Sequence, residues 1–303
     1  MSISIMKNKP FRSGFISIIG RPNVGKSTLL NFILKEKAAI TSEKPQTTRN
    51  RILGIRNTPN SQMIFIDTPG IHKPKYKLNE IMVKTAVDRL REVDAVMFLV
   101  EADSHAGAGD RYIISTFFND LRIPVILVIN KIDIIKKETL LPLINEYNNI
   151  YKFAEIIPVS ALKGDNVERL LDVLEGYLPE GPKYYPDDIY TDQPERFIAA
   201  EIVREKIIAK TEEEIPYSVA VFVEEFKERE NGNIFIRAVI FVERDSQKGI
   251  IIGKSGRMLK EIGKEAREEI EGLLGAKVFL ELWVKVKKDW RSDSRVLKQL
   301  GYE

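Results

Sequence analysis

Short apolar runs recur through the first half of the chain, at residues 15–19, 63–66, 95–100, 125–129 and 156–159. Each is too short for a buried helix, and most alternate with stretches whose apolar residues have helical spacing, as at 78–90 and 166–178. Short strands alternating with amphipathic helices predict an α/β domain, a mostly parallel sheet with helices on both faces. Residues 50–56 read as an extra edge strand ahead of 63–66.

The pattern breaks at 179–188, where three prolines and Gly181 remove any period, and a linker is expected there. The expected division is a tail at 1–12, a first domain at 13–180, a linker at 181–194 and a second, smaller α+β domain at 195–303. In the second domain a helix at 194–210 precedes strands at 217–226 and 234–244. These flank Asn231-Gly232, a pair suited to a tight hairpin turn. Ile250-Ile251-Ile252 and Gly253-Lys254-Ser255-Gly256 follow, then a helix to about 271 with Leu259, Ile262, Ala266 and Ile270 on one stripe. A strand at 277–286 alternates cleanly, and a short helix at 292–300 closes the chain. The order is helix, strand, strand, helix, strand.

At 303 residues, with 44% apolar and 30% charged residues, the chain can bury two cores. A net charge of +3 is too small to signal nucleic-acid binding by itself, so any such surface must come from local clustering. There is no cysteine, which removes disulfides, thiolate nucleophiles and Cys-based zinc sites. His72 and His105 have no partner at metal-ligand spacing. Residues 1–12 lack the apolar core of a signal peptide, and no run approaches the roughly 18 apolar residues of a spanning helix. A cytoplasmic protein is expected.

Four segments, each placed where an apolar run ends, change this picture. Gly20-Arg21-Pro22-Asn23-Val24-Gly25-Lys26-Ser27 lies between a predicted strand and a predicted helix that continues through Thr28, the context of a phosphate-binding loop. Amides from Asn23 to Ser27 can cradle phosphates at the helix N-terminus. Lys26 adds charge at the β and γ phosphates, and the Ser27 hydroxyl is placed for magnesium. Asp67-Thr68-Pro69-Gly70 follows the strand at 63–66, so that Asp67 points toward the magnesium and the Gly70 amide can sense the γ phosphate. Thr47 and Thr48 lie in a polar loop from which one hydroxyl, expected to be that of Thr48, can complete the magnesium shell while GTP is bound. Asn130-Lys131-Ile132-Asp133 follows the strand at 125–129. A carboxylate at Asp133 accepts from both N1–H and the 2-amino group of guanine, and adenine would leave that charge unpaired. Ser160-Ala161 after the fifth run completes a base-contacting loop.

On these motifs the first domain resembles the translation-factor-related GTPases. With Gly253-Lys254-Ser255-Gly256 set in a helix-strand-strand-helix-strand domain, residues 12–300 resemble the Era-type bacterial ribosome-assembly GTPases, which join one GTPase domain to a C-terminal KH domain. The segment Pro45-Gln46-Thr47-Thr48-Arg49-Asn50-Arg51 is similar to their effector loop. The resemblance implies a monomeric, GTP- and GDP-binding switch that binds the 3′ end of 16S ribosomal RNA and the 30S subunit and acts in small-subunit maturation. It also implies peripheral contact with the inner membrane. In related GTPases with an Asn in the phosphate loop, a potassium ion can stand where others place an arginine finger, and Asn23 matches that Asn.

A Gly-X-X-Gly turn lets an RNA backbone approach and offers a helix N-terminus to phosphate. Gly253, Lys254, Ser255 and Gly256, with Arg257, Lys260 and Lys264 behind them, fit that use. Trp283, Lys285, Lys287, Lys288, Trp290 and Arg291 interleave aromatic and basic residues as single-strand platforms do, although Trp283 and Lys285 also fit as cover for the last strand. For the reaction, Ile71 stands after Gly70 where Ras-type GTPases place a water-orienting Gln. Slow intrinsic hydrolysis is therefore expected.

Overall fold

The computed structural model describes residues 10–42, 44, 47–71, 76–87 and 92–302. Most of the predicted tail, Pro45 and Gln46 of the effector-like segment, His72, and the predicted helix end at 88–90 lie outside the described residues. Contacts divide the chain into two units: Met1–Glu36, Ile52–Asp67 and Val87–Asp192 form the first, while Lys37–Arg51, Thr68–Ala86 and Gln193–Glu303 form the second.

In the first unit, β1 (Arg12–Gly20), β2 (Ile52–Asn57), β3 (Ser61–Asp67), β4 (Ala95–Glu101), β5 (Val125–Asn130) and β6 (Glu155–Pro158) form one sheet in the order β2-β3-β1-β4-β5-β6. Only β2 runs antiparallel to its neighbour, which makes it the edge strand that the sequence predicts. β4 and β5 are near-continuous apolar runs because both faces of the sheet are covered. The helices of this unit are α1 (Lys26–Leu34), α3 (Ala108–Ile113), α4 (Leu140–Ile150) and α5 (Val167–Tyr177). Strand order reverses around β1, which lies between β3 and β4. Such switch points open a ligand crevice at the carboxyl ends of the strands.

The predicted linker is tied down along much of its length. Thr191 bridges to Gly54 of β2, and the Thr191 hydroxyl donates to the Leu53 carbonyl at 2.7 Å. Gln62, fully buried, accepts from the Tyr184 and Tyr185 amides at 2.7 and 3.0 Å, and donates to the Tyr185 carbonyl at 2.8 Å. Absence of periodicity predicts a linker but does not show that one buried amide side chain fixes the segment.

The second unit holds α2 (Lys77–Val87, through Ala86), α6 (Glu195–Lys210), α7 (Ile215–Ser218), β7 (Ala220–Glu228), β8 (Ile234–Val242), α8 (Asp245–Ile252), α9 (Arg257–Leu274), β9 (Val278–Val286) and α10 (Ser294–Gln299). β8 pairs antiparallel with β7 and parallel with β9. Ile262, Ala266 and Ile270 of α9 are fully buried against the sheet, as their spacing predicts, and join Ile202, Val203 and Ile207 of α6 in one core. Gly232 takes the left-handed φ of 76° that the hairpin turn needs.

Two boundaries differ from the sequence reading. β7 starts at Ala220 rather than 217, because residues 215–218 form one helical turn with Pro216 in its first positions. Residues 245–252 form α8, so the Gly-Lys-Ser-Gly turn joins two helices rather than a strand and a helix. The isoleucine run masks α8 in the sequence: only Ile251 of the three is fully buried, and Ile250 is exposed.

Replacing Gln62 by Leu keeps the volume but strands two amides and a carbonyl of the 184–185 segment. Such losses cost about 1–3 kcal/mol. Urea unfolding should show a loss of that size, and limited proteolysis should cut at 183–192 faster than in the wild type.

Candidate functional site

Within the first unit, the carboxyl ends of β1, β3, β5 and β6 carry the residues that the motifs select. After β1 the chain passes through Asn23 and Gly25, both left-handed at φ 68° and 96°, and enters α1 at Lys26. A Cβ on Gly25 would lie 2.2 Å from Asn130 Nδ2, and one on Gly20 would lie 2.4 Å from the Leu99 carbonyl oxygen. Both glycines are therefore required by close packing as well as by phosphate approach. Such a loop running into a helix N-terminus offers successive amides to an anion.

Lys26 is only 6% exposed, and its ammonium donates to the carbonyls of Gly20 and Arg21 at 3.2 and 2.9 Å. Burial lowers its pKa to about 8, with the Asp67 carboxylate opposing the shift. The Ser27 hydroxyl donates to Asp67 Oδ2 at 2.7 Å. A hydroxyl and a carboxylate in contact form the hard-oxygen pair that suits magnesium.

The base-side residues meet the phosphate loop through Asn130. This side chain is 2% exposed, donates to the Val24 carbonyl at 2.8 Å and accepts from the Ala161 amide at 2.9 Å. Its placement makes it a brace between two loops. The Ser160 hydroxyl donates to Asp133 Oδ1 at 2.6 Å and orients that carboxylate. Lys131, left-handed at φ 66°, pairs its ammonium with Glu101 at the end of β4. Thr48 and the Thr68-Pro69-Gly70 turn are also buried, but they belong to the second unit.

In the second unit, the Gly-Lys-Ser-Gly turn is held by left-handed Gly253, Ser255 and Gly256 at φ 71°, 55° and 76°. Lys254, Ser255, Arg257 and Lys260 are exposed around it, with Ile250 51% exposed on the preceding helix. The more C-terminal residues behave differently. Trp283 is 52% exposed, but Lys285 pairs with Glu224 at 3.0 Å and the Lys287 ammonium lies 5.9 Å from the centre of the Phe241 ring. Trp290 is fully buried, and its indole N–H donates to the Ser218 carbonyl. It is a core residue rather than part of a stacking platform.

Comparison with known proteins gives the family. A family profile described as "50S ribosome-binding GTPase" matches residues 15–131, and a KH-domain profile matches 214–291. "GTPase Era" of Geotalea uraniireducens (strain Rf4) is 60% identical over 98% of this chain and all of the relative. The chain belongs to the Era family of GTPases. The family member of Geobacter metallireducens (strain ATCC 53774 / DSM 7210 / GS-15) is 59% identical over the same shares. Among solved structures, Era in complex with MgGDPNP and nucleotides 1506–1542 of 16S ribosomal RNA superposes with a TM-score of 0.94 at 46% identity, covering 96% of this chain and 99% of that one. A variant of Aquifex aeolicus Era bound to GDP.AlF4⁻ gives 0.93 at 46% identity over the same shares.

The motifs missed two acidic residues that hold the phosphate loop of this family member. Asp110, fully buried at the start of α3, accepts from Arg21 Nε at 2.9 Å, from the Tyr147 hydroxyl and from the Gly107 amide at 3.3 Å each. Burial raises its pKa, with the Arg21 guanidinium opposing most strongly. Glu101 lies between Arg21, at 3.7 Å, and Lys131, so one carboxylate links the phosphate loop to the base loop. An Asp three residues after a glycine reads as an ordinary helix start, and only the fold reveals that it faces Arg21.

Arg21 in turn presents the carbonyl that holds Lys26, which makes Asp110 a positioning residue for the phosphate loop. Asp110→Asn should weaken binding of a GTP analogue by about tenfold, the worth of one charge-assisted hydrogen bond. In an Arg21→Ala background the same change should cost under about twofold. Calorimetric titration of the four proteins checks this; equal losses in both backgrounds would mean that Asp110 acts on packing alone.

Proposed function

We propose that the chain is a GTP-hydrolysing switch that binds the 3′ end of 16S ribosomal RNA and acts in assembly of the 30S subunit. The observation that carries this reading is the presence, in one chain, of a braced phosphate loop with its Ser27–Asp67 pair and an exposed Gly-Lys-Ser-Gly turn between two helices. The relative crystallised with MgGDPNP and nucleotides 1506–1542 of 16S ribosomal RNA supports both halves. RNA of the small subunit favours the 30S particle as partner.

In this reading Lys26 neutralises the β and γ phosphates, amides from Asn23 to Ser27 bind them, and Asp133 reads guanine. Ser27, Asp67 and Thr48 would hold magnesium, which supplies charge compensation at the transferred phosphoryl group. The Gly70 amide would report the γ phosphate. Hydrolysis is attack of water on that phosphorus with release of GDP, and phosphoryl transfer needs positioning more than covalent help. The side chain after Gly70 is apolar and buried, with Ile71 only 2% exposed, so it cannot orient the water. Intrinsic turnover is therefore slow. Any membrane contact would be peripheral, since no helix among the described residues is long and apolar enough to cross one.

Binding of a 16S 3′-end oligonucleotide should be tighter with a GTP analogue than with GDP or no nucleotide. It should be lost in a Lys254→Asp, Ser255→Asp double variant. Both residues are exposed, whereas a side chain at Gly253 would start 2.6 Å from Met258 Cβ and confound binding with misfolding. Equal affinity in the three nucleotide states would instead support an RNA-binding adaptor in which nucleotide is structural.

Potassium at the phosphate loop is the finer part of the proposal. Asn23 is left-handed at φ 68°, so Asn23→Gly removes the side-chain amide while keeping the backbone. Potassium should stimulate GTP hydrolysis over sodium in the wild type and not in this variant, measured by phosphate release; an unchanged dependence would remove Asn23 from the potassium site.

A further inference from the structure

The loop that carries Thr48 is gripped, inside the second unit, by side chains of the C-terminal half. Lys37 pairs with Glu205 of α6 at 2.5 Å and with Glu269 of α9. The Thr41 amide donates to Glu205 Oε1 at 2.9 Å, and the Lys44 ammonium donates to the Ile208 carbonyl at 2.7 Å. Arg204, fully buried and paired with Glu201 at 2.5 Å, donates to the Thr47 carbonyl.

Arg49 makes the largest set of these bonds. It is 3% exposed, and its guanidinium donates to the Val219 carbonyl at 2.6 Å and to those of Pro216 and Tyr217 at 3.1 Å each. The intervening carbonyl, Ser218, accepts from the Trp290 indole at 2.8 Å, and the guanidinium carbon lies 5.8 Å from the centre of a Trp290 ring. One arginine and one tryptophan thus satisfy four consecutive carbonyls at the end of α7, where helix geometry leaves them without intrahelical partners. Trp290 packs in one cluster with Leu78 and Met82 of α2, Leu297 of α10 and Tyr302. Arg49 and the helix that follows Gly70 therefore converge on the same indole.

A buried guanidinium that leaves its acceptors strands both partners until water reaches them. Movement of Thr48, the neighbour of Arg49, must then either keep this set of bonds or break it as a whole. We infer that Arg49 is the positioning residue that fastens the Thr48 loop to the RNA-binding unit and transmits nucleotide state to RNA affinity. The inference rests on the switch reading above and adds the group through which the switch acts. Neither Arg49 nor Trp290 belongs to the phosphate, magnesium, base or Gly-X-X-Gly elements.

The test compares the affinity of the 16S 3′-end oligonucleotide with saturating GTP analogue and with saturating GDP, in wild type, Arg49→Ala and Arg49→Lys. Saturation relative to each variant's own nucleotide affinity keeps occupancy equal. The wild-type ratio should be at least about fivefold, the low end of allosteric couplings. It should fall toward one in Arg49→Ala and lie between in Arg49→Lys, whose ammonium can reach fewer of the carbonyls. Retention of the full ratio in both variants overturns the inference and leaves the switch reading standing; a wild-type ratio of one removes the switch reading and the inference with it. If Arg49→Ala melts below the assay temperature, Arg49→Lys is read through Trp290 emission in a Trp283→Phe background. The difference between GTP analogue and GDP should shrink relative to Trp283→Phe alone, and an unchanged difference overturns the inference.

Discussion

The nucleotide site depends on one buried amide. Asn130 spans the Val24 carbonyl and the Ala161 amide, and Gly25 can pass it only because it has no side chain. If that contact opened, three loops from three strand ends would lose their common reference. The phosphate loop would no longer be held under Lys26, and the Ser160–Asp133 pair would be free to turn. A neutral amide suits this position because it gives and accepts at once, and because a charged group buried here would cost several kcal/mol unless paired.

Charge takes over where the loops must resist phosphate. Arg21 is held by Asp110 and Glu101, and Glu101 also holds Lys131. These carboxylates orient cations near a polyanionic ligand while keeping the free loop from carrying unbalanced positive charge. The burial that lowers the pKa of Lys26 belongs to the same design. Its ammonium is poorly hydrated before nucleotide arrives, so less solvation is lost on binding.

Most of the first unit was legible because its signals are local. Apolar runs gave β1 and β3 to β6, and strand-end motifs placed Lys26, Asp67, Asn130 and Ser160 at one edge of the sheet. The second unit was legible to the extent that period-2 and period-3.6 patterns were clean, as in β9 and α9. The Ile250-Ile251-Ile252 run concealed α8, since three β-branched residues hide which of them faces inward. Trp290 looked like part of a basic, aromatic platform because composition near a chain end says nothing about burial. Arg49 and Asp110 were invisible as functional groups for a different reason: their partners lie 170 and 89 residues away.

The division of the chain passes between Asp67 and Thr68, inside a single nucleotide motif. Asp67 and the Thr68-Pro69-Gly70 turn, the proposed magnesium ligand and γ-phosphate sensor, are thus adjacent in sequence but fall in different units. Ser27 and Thr48, the other proposed magnesium ligands, likewise fall in different units. A nucleotide can shift such a system only by the difference in its affinity for the two arrangements, and allosteric couplings are typically worth about 1–3 kcal/mol. The attachments of residues 37–51 must therefore be few and separable rather than a broad apolar interface. What the structure provides fits that scale: ion pairs at Lys37, which are partly exposed and individually weak, and two buried guanidinium attachments, Arg204 on the Thr47 carbonyl and Arg49 on the carbonyls of α7. Polar bonds to carbonyls can be exchanged for water when they open, whereas an equally large apolar contact would oppose opening in proportion to its area. An arginine on the carbonyls of α7 is in this sense the kind of fastening that a nucleotide-sized energy can work against.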